Sequence, residues 1–323
     1  MGSKYSISRE TNKKIIKFLK LNNSNLALLR DDDIEIISHQ NLESLFIIDS
    51  DINNNDLIQT KNGNLVLCSR YKIIVISLLE NNTYNIKQTI MNNKKRIGYK
   101  ILEIKDDLFC FEEEANIHIY HYNSNNEYTH STNVLFHSFC YSPIYLDTNE
   151  LIYISNNKIT FLNLETWNNE CIEDILSLSY SFCDDIICKL NNNKILVADN
   201  NYFYVVDILN HNIISKIEYE NNNINTNNYI VIKGLKSDEK GNIMMLKGKN
   251  HSLKICKGGL LSSLKVKDIF SIYKYNNLNF EKSYEMSEKG FRIHRFIKNS
   301  DNEIIFDLTE NESHYIKVLN INL

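Results

Sequence analysis

The chain has 323 residues, a formal net charge of -4 and 43% hydrophobic residues, a length that all-β propellers and barrels reach as one domain. The negative balance excludes general attraction to nucleic acid, which needs a basic face to displace counterions from phosphates. No apolar run approaches the ~18 residues of a membrane-spanning helix, so membrane insertion is not expected.

Alanine occurs only three times and asparagine makes up about 15% of the chain. Abundant Ile, Leu, Val, Tyr and Phe suit a pleated, packed surface. With 9 Gly and 1 Pro, the turns must draw on Asn and Asp, which tolerate left-handed backbone. The seven cysteines include no C-x-x-C pair and leave one over, as expected of reduced thiols packed in a core. A reducing compartment follows, cytoplasmic with the nucleus not excluded.

In chain order, a short strand at 5–7 precedes a first apolar segment at 14–21. Apolar strand cores then recur at Leu26, Leu65, Leu108, Leu151, Ile195, Ile243 and Ile304. Each is followed, after a tight polar turn, by a second apolar run: 34–37, 72–78, 116–122, 158–164, 202–208, 269–275 and 313–319. The middle strands, such as Leu65-Val66-Leu67-Cys68 and Ile73-Ile74-Val75-Ile76, are apolar at successive positions, so both faces are buried. A sandwich would leave one face wet and show alternation, whereas radially packed blades cover both faces. Adding an inner and an outer strand to each hairpin gives four strands in about 42 residues, the period of propeller blades. The expectation is an all-β, seven-bladed β-propeller of four-stranded antiparallel blades, one domain over 1–323. The last unit lacks an outer strand, which the N-terminal strand supplies to close the ring.

The segments KITFLNLETW (158–167) and YFYVVDILNHNIISKIE (202–218) resemble the last two strands of WD40 repeats, with Asn163 and Asp207 near the Asp of their Trp-Asp pair. The Gly-His and Trp-Asp pairs are missing, and the only tryptophan, Trp167, follows the third strand of unit four. The resemblance implies a ring that presents loops to a protein or peptide partner. Glycine pairs of Kelch repeats are absent, and GFRIHRF (290–296) does not match the F-R-R-G motif of a lipid-binding propeller.

Nothing resembles a nucleophile elbow, a phosphate-binding glycine loop or a zinc-binding helix, so no enzyme, cofactor or metal is expected. His118 and His121 stand three apart and point to opposite faces of a strand. Partner binding is expected at Arg70 and Tyr71 in the hairpin turn of unit two, residue types enriched at hot spots. It is also expected at the basic connection Lys94, Lys95 and Arg96, and in an insertion of unit six at about 248–267. That insertion carries Leu260, Leu261, Lys265 and Lys267, and long loops on rigid scaffolds tend to be functional. The acidic runs Asp31-Asp32-Asp33 and Glu112-Glu113-Glu114 are expected to be solvated turns or, less favoured, an acidic arc. The function expected is a non-catalytic protein-interaction scaffold, with a structural subunit of a larger assembly, or a small-ligand site at the axis, as alternatives.

Overall fold

The computed structural model describes residues 5–50, 54–69, 72–79, 83–91, 100–105, 108–113, 116–135, 141–146, 148–155, 157–173, 186–191, 193–199, 202–218, 229–238, 240, 242–250, 267–276, 279–287, 291–300, 302–310 and 313–321. After β1 (Tyr5–Thr11), sheet one comprises β2 (Lys17–Lys20), β3 (Leu26–Leu29), β4 (Asp33–Ile37) and β5 (Ser44–Asp49). Sheet two comprises β6 (Asn54–Gln59), β7 (Leu65–Ser69), β8 (Lys72–Leu78) and β9 (Tyr84–Met91). Sheet three holds β10 (Ile101–Lys105), β11 (Leu108–Glu113), β12 (Asn116–Tyr122) and β13 (Tyr128–Leu135). Sheet four holds β14 (Tyr141–Leu146), β15 (Glu150–Ser155), β16 (Lys158–Asn163) and β17 (Asn169–Ile172). Sheet five is β18 (Ile187–Asn191), β19 (Lys194–Ala198), β20 (Tyr202–Asp207) and β21 (Asn212–Glu218). Sheet six is β22 (Tyr229–Ser237), β23 (Asn242–Asn250), β24 (Lys267–Asn276) and β25 (Asn279–Met286). The last sheet takes β26 (Phe291–Ser300), β27 (Glu303–Glu310), β28 (Ser313–Asn320) and, as its outer strand, β1.

The architecture is an all-β propeller of four-stranded antiparallel blades, each a simple meander except the last, whose outer strand comes from the N-terminus. β1 runs antiparallel to β28 from Tyr5 opposite Leu319 to Thr11 opposite His314. The innermost strands meet in the order β2, β6, β10, β14, β18, β22, β26, and β26 meets β2 again. Innermost strands start on one face, called upper here, where the turns between second and third strands also lie. Turns between first and second, and between third and fourth, strands lie on the lower face.

Burial follows position in the blade. The middle strands β3, β4 and β7 are buried at every residue, whereas outer β21 alternates exposed and half-buried positions. This is the expected pattern for sheets covered on both faces near the axis and wet at the rim. The turns between strands use left-handed residues, as expected, but asparagine does not monopolise them. Asn126, Asn149 and Asn157 adopt positive φ, and so do Ser24, Leu42, Trp167 and His211.

Several expected bounds shift. The inner strand of sheet one spans Lys17–Lys20 and not 14–21. The insertion of unit six does not begin at 248: β23 runs to Asn250, and Gly248 and Lys249 pair with Asp268 and Lys267. Residues 248–250 and Lys267 therefore belong to the ladder, because the hairpin of sheet six is longer than its apolar core suggests. No helix among the described residues is long and apolar enough to cross a membrane.

Candidate functional site

Of the residues expected to bind a partner, Arg70, Tyr71, Lys94, Lys95, Arg96, Leu260, Leu261 and Lys265 lie outside the described residues. Lys267 is the first residue of β24. The strand ends that flank these segments lie on the upper face. On that same face the structure gathers a cationic group that the sequence reading did not single out, in the sector of sheets six, seven and one.

Its inner part is built on β26. Lys233 of β22 donates to Asp268 Oδ1 at 2.5 Å and to the Ile293 carbonyl at 3.2 Å. The other carboxylate oxygen, Asp268 Oδ2, accepts the Ile293 amide at 2.8 Å. One ion pair thus staples the backbone of the last innermost strand to the preceding sheet. Gly248 makes room for it, since a Cβ there would stand 2.9 Å from Lys233 Cε and 3.0 Å from Asp268 Oδ1. Burial pulls the Lys233 ammonium below its ordinary value; Asp268 opposes that and Arg292 adds to it.

Next along β26 comes His294, whose Nε2 lies 2.7 Å from the Thr309 hydroxyl, itself 3.3 Å from His314 Nδ1. The two imidazoles stack with centroids 5.8 Å apart. Burial, followed by the charges of Arg292, Lys233 and Arg295, lowers the His294 pKa to about 3. Arg295 donates to the Ile15 carbonyl at 2.8 Å and reaches Asp307 Oδ2 at 3.5 Å. Asp307 is 1% exposed and its Oδ1 has no hydrogen-bond partner. Burial raises its pKa to about 6 although Arg295 and Lys14 act against it.

The outer part joins β1 to sheet one. Arg9 donates to Glu35 Oε1 at 2.7 Å and to the Leu42 carbonyl at 2.8 Å, and Arg30 pairs with the second Glu35 oxygen. Burial alone would raise the Glu35 carboxyl, but hydrogen bonds from Arg9 and Ser44 and the charge of Arg30 hold it below its ordinary value. Lys13 bridges Asp32 and Asp33, both at 2.8 Å. The run Asp31-Asp32-Asp33 is therefore not merely a solvated turn: Asp33 opens β4 and is buried.

Two cations of this group, Lys14 and Arg292, are exposed and make no ion pair among the described residues. The signal for the inner half was present in GFRIHRF, which carries three basic groups in four residues, Arg292, His294 and Arg295. Their convergence with Lys233 and Lys14 depends on pairing between distant strands and is invisible locally.

Other candidates separate. His118 lies beside His130, with Nδ1 and Nε2 3.5 Å apart, and His121 is exposed elsewhere. Among the described residues no three His, Cys, Asp or Glu side chains could hold a metal ion. Among the described residues Cys68, Cys171 and Cys188 form no disulfide; the first and last are buried and Cys171 is exposed.

No family model and no curated protein matches the sequence. Solved structures do match, WD40 β-propellers among them. The structure of U3-55K superimposes with a TM-score of 0.71 at 8% identity, covering 99% of this chain and 100% of that one. A chain in the crystal structure of a mitotic checkpoint complex gives 0.65 at 9%, covering 98% and 96%. The WD40 domain of SCAP from fission yeast gives 0.55 at 10%, covering 97% and 96%. At these identities the likeness is one of fold.

Proposed function

We propose that the chain is a non-catalytic protein-interaction scaffold: a closed ring of seven blades whose upper face, at blades six, seven and one, receives an acidic segment of a protein partner. The seven four-stranded sheets and the circuit of innermost strands from β2 round to β26 and back to β2 support the ring. The observation that carries the binding reading is the pair of exposed cations, Lys14 and Arg292, which form no ion pair among the described residues and stand beside cations already fixed by buried carboxylates. Fixed charges of one sign select and steer a partner of the other. The solved propeller of a mitotic checkpoint complex acts within a protein assembly, which fits the same class of function.

Catalysis with His294 as the base is disfavoured by the chemistry of the cluster itself. A hydroxyl between two imidazoles has the outline of a nucleophile and its base. An imidazole whose pKa is about 3 takes up no proton at neutral pH and is a poor general base. The scaffold is proposed to work in a reducing compartment, where its thiols stay free.

The test is affinity capture from native extract with the parent and with Lys14→Glu/Arg292→Glu, both bound at low salt and read by mass spectrometry. Neither side chain forms a hydrogen bond or ion pair among the described residues, so the double variant should stay folded with a thermal midpoint near that of the parent. It should lose at least one protein rich in Asp and Glu that the parent retains and that elutes with rising salt. Identical captured sets from the two proteins would remove the reading.

A further inference from the structure

On the lower face, sheets four and five present a second surface of opposite character. Trp167, in the turn from β16 to β17, is 40% exposed, and Leu209, in the turn from β20 to β21, is 64% exposed. The two turns are locked side by side. His211, two residues after Leu209, stacks on Phe161 with ring centroids 4.1 Å apart. Its Nδ1 lies 2.7 Å from Glu170, three residues beyond Trp167, and its Nε2 lies 3.0 Å from Glu150. Each ring nitrogen thus stands within hydrogen-bond distance of a carboxylate, and the side chain bridges the two sheets.

Four equivalent turns carry a left-handed residue before the outer strand: Leu42, Asn126, Trp167 and His211, with φ of 59°, 62°, 60° and 46°. Asparagine adopts this conformation readily. Leu42 is fully buried and His211 makes the bridge, so each gains contacts against the strain. Trp167 donates its backbone amide to the Asn163 carbonyl at 2.9 Å, but its indole makes no hydrogen bond or ring contact among the described residues. Acidic groups flank it and Leu209: Glu165 and Glu170 are exposed, and Asp207 begins the turn that holds Leu209, its carboxylate accepting from the Leu209 and Asn210 amides at 2.8 and 3.0 Å.

We infer that the lower rim of sheets four and five docks a basic peptide segment with apolar anchors from a protein partner. Trp167 and Leu209 supply the apolar contact, tryptophan being the side chain most enriched at binding hot spots. Glu165, Glu170 and Asp207 select positive flanks by complementary charge. This surface is independent of the upper face, and the ring presents two differently charged docking sites.

The probe is a fluorescein-labelled peptide of alternating lysine and leucine or phenylalanine, titrated by fluorescence anisotropy against the full chain. Controls are the same peptide with serine for every apolar residue and with glutamate for every lysine. Trp167→Gly suits the test because glycine takes the left-handed turn without strain, so the anchor goes while the turn stays. Trp167→Gly and Leu209→Ser should each weaken the basic apolar peptide by at least about tenfold, whereas Lys14→Glu/Arg292→Glu should leave it unchanged. Equal binding by parent and Trp167→Gly, equal binding of the serine or glutamate controls, or no binding by the parent would overturn the inference. So would sedimentation showing a parent dimer that Trp167→Gly converts to monomer, since a second copy would then be the occupant.

Discussion

The two sides of the ring are held together differently. Across sheets four to six a single apolar cluster runs from Leu146 through Phe161, Phe203 and Val205 to Met245 and Tyr273. At the closing seam, where the last sheet meets the first, a smaller apolar cluster around Ile15, Phe18, Ile305 and Val318 is flanked by ion pairs: Arg9 and Arg30 with Glu35, Lys13 with Asp32 and Asp33, and Arg295 with Asp307. Apolar burial is non-directional and rewards any close fit. An ion pair rewards one geometry, and removing one member leaves a buried charge exposed to the full desolvation cost. Chain ends have to find each other across the whole sequence, and the polar half of that seam specifies which edges meet.

The largest expected effects separate these mechanisms. Phe203 is fully buried and packs edge-on against Tyr273 at 5.3 Å and beside Phe280 at 4.8 Å. Phe203→Ala should cost about 3–5 kcal/mol, with little dependence on pH. Glu35→Ala should cost a similar amount, about 3–5 kcal/mol, because Arg30 and Arg9 lose their shared carboxylate. Its loss should have a pH signature. The folded-state pKa of Glu35 is depressed, so its contribution is present above the unfolded value near 4.5 and disappears as pH falls through the folded value. Urea melts of both variants at pH 7 and pH 4 test the contrast. Parallel pH profiles for the two variants would show that the seams do not differ in kind.

A smaller effect of opposite sign is expected at Asp307. Its folded pKa is raised to about 6 from 3.8, so the folded state binds the proton more tightly and stability falls as pH rises between those values. Above pH 6 the ionised, half-unpaired carboxylate is a standing cost of up to about 3 kcal/mol. Asp307→Asn should therefore stabilise the protein above pH 6 by about 1–3 kcal/mol and leave it near the parent below pH 4. His294 runs the other way: with its pKa lowered to about 3 from 6.5, folding loses stability as pH falls through that window. The Asp307→Asn variant should thus show the acid-side loss more steeply than the parent, in which the two titrations partly cancel. A variant no more stable than the parent at pH 7.5 would mean that Arg295 already satisfies the carboxylate.

The hairpins were legible because a doubly buried strand leaves a mark at every residue: Leu65 to Cys68 and Ile73 to Ile76 could not face water on either side. The closing strand was legible from a deficit, the missing outer strand after 313–319, matched by a spare one at the N-terminus. The cationic sector was not. Lys14, Lys233 and Arg292 are distant in sequence, and what joins them is Asp268 reaching across from β24 to the Ile293 backbone and Arg295 reaching the Ile15 carbonyl, contacts between sheets that no local pattern carries. Asparagine's tolerance of left-handed backbone suits the turns at Asn126, Asn149 and Asn157, although Asn54, Asn55 and Asn191, in runs that read as turns, lie in strands. The positions held by Leu42, Trp167 and His211 followed tertiary compensation and not propensity.

The smallest expected change refines the seam comparison further. Arg9→Met keeps most of the side-chain length while removing the charge and the hydrogen bonds to Glu35 and the Leu42 carbonyl. Glu35 retains Arg30, so no buried charge is left alone, and the cost should be about 1–2 kcal/mol. That cost falls on β1, whose pairing with β28 is what the N-terminal segment contributes to the last sheet. The strand should open before the rest of the ring, since a closure with weaker fastening exchanges independently of the global transition. Hydrogen exchange should accordingly rise first at the amides of β1 and β28 in Arg9→Met, with β19 and β20 of the apolar sector unchanged. Equal acceleration in both sectors would mean that the ring opens only as a whole, and that the polar seam is no weaker a joint than the apolar one.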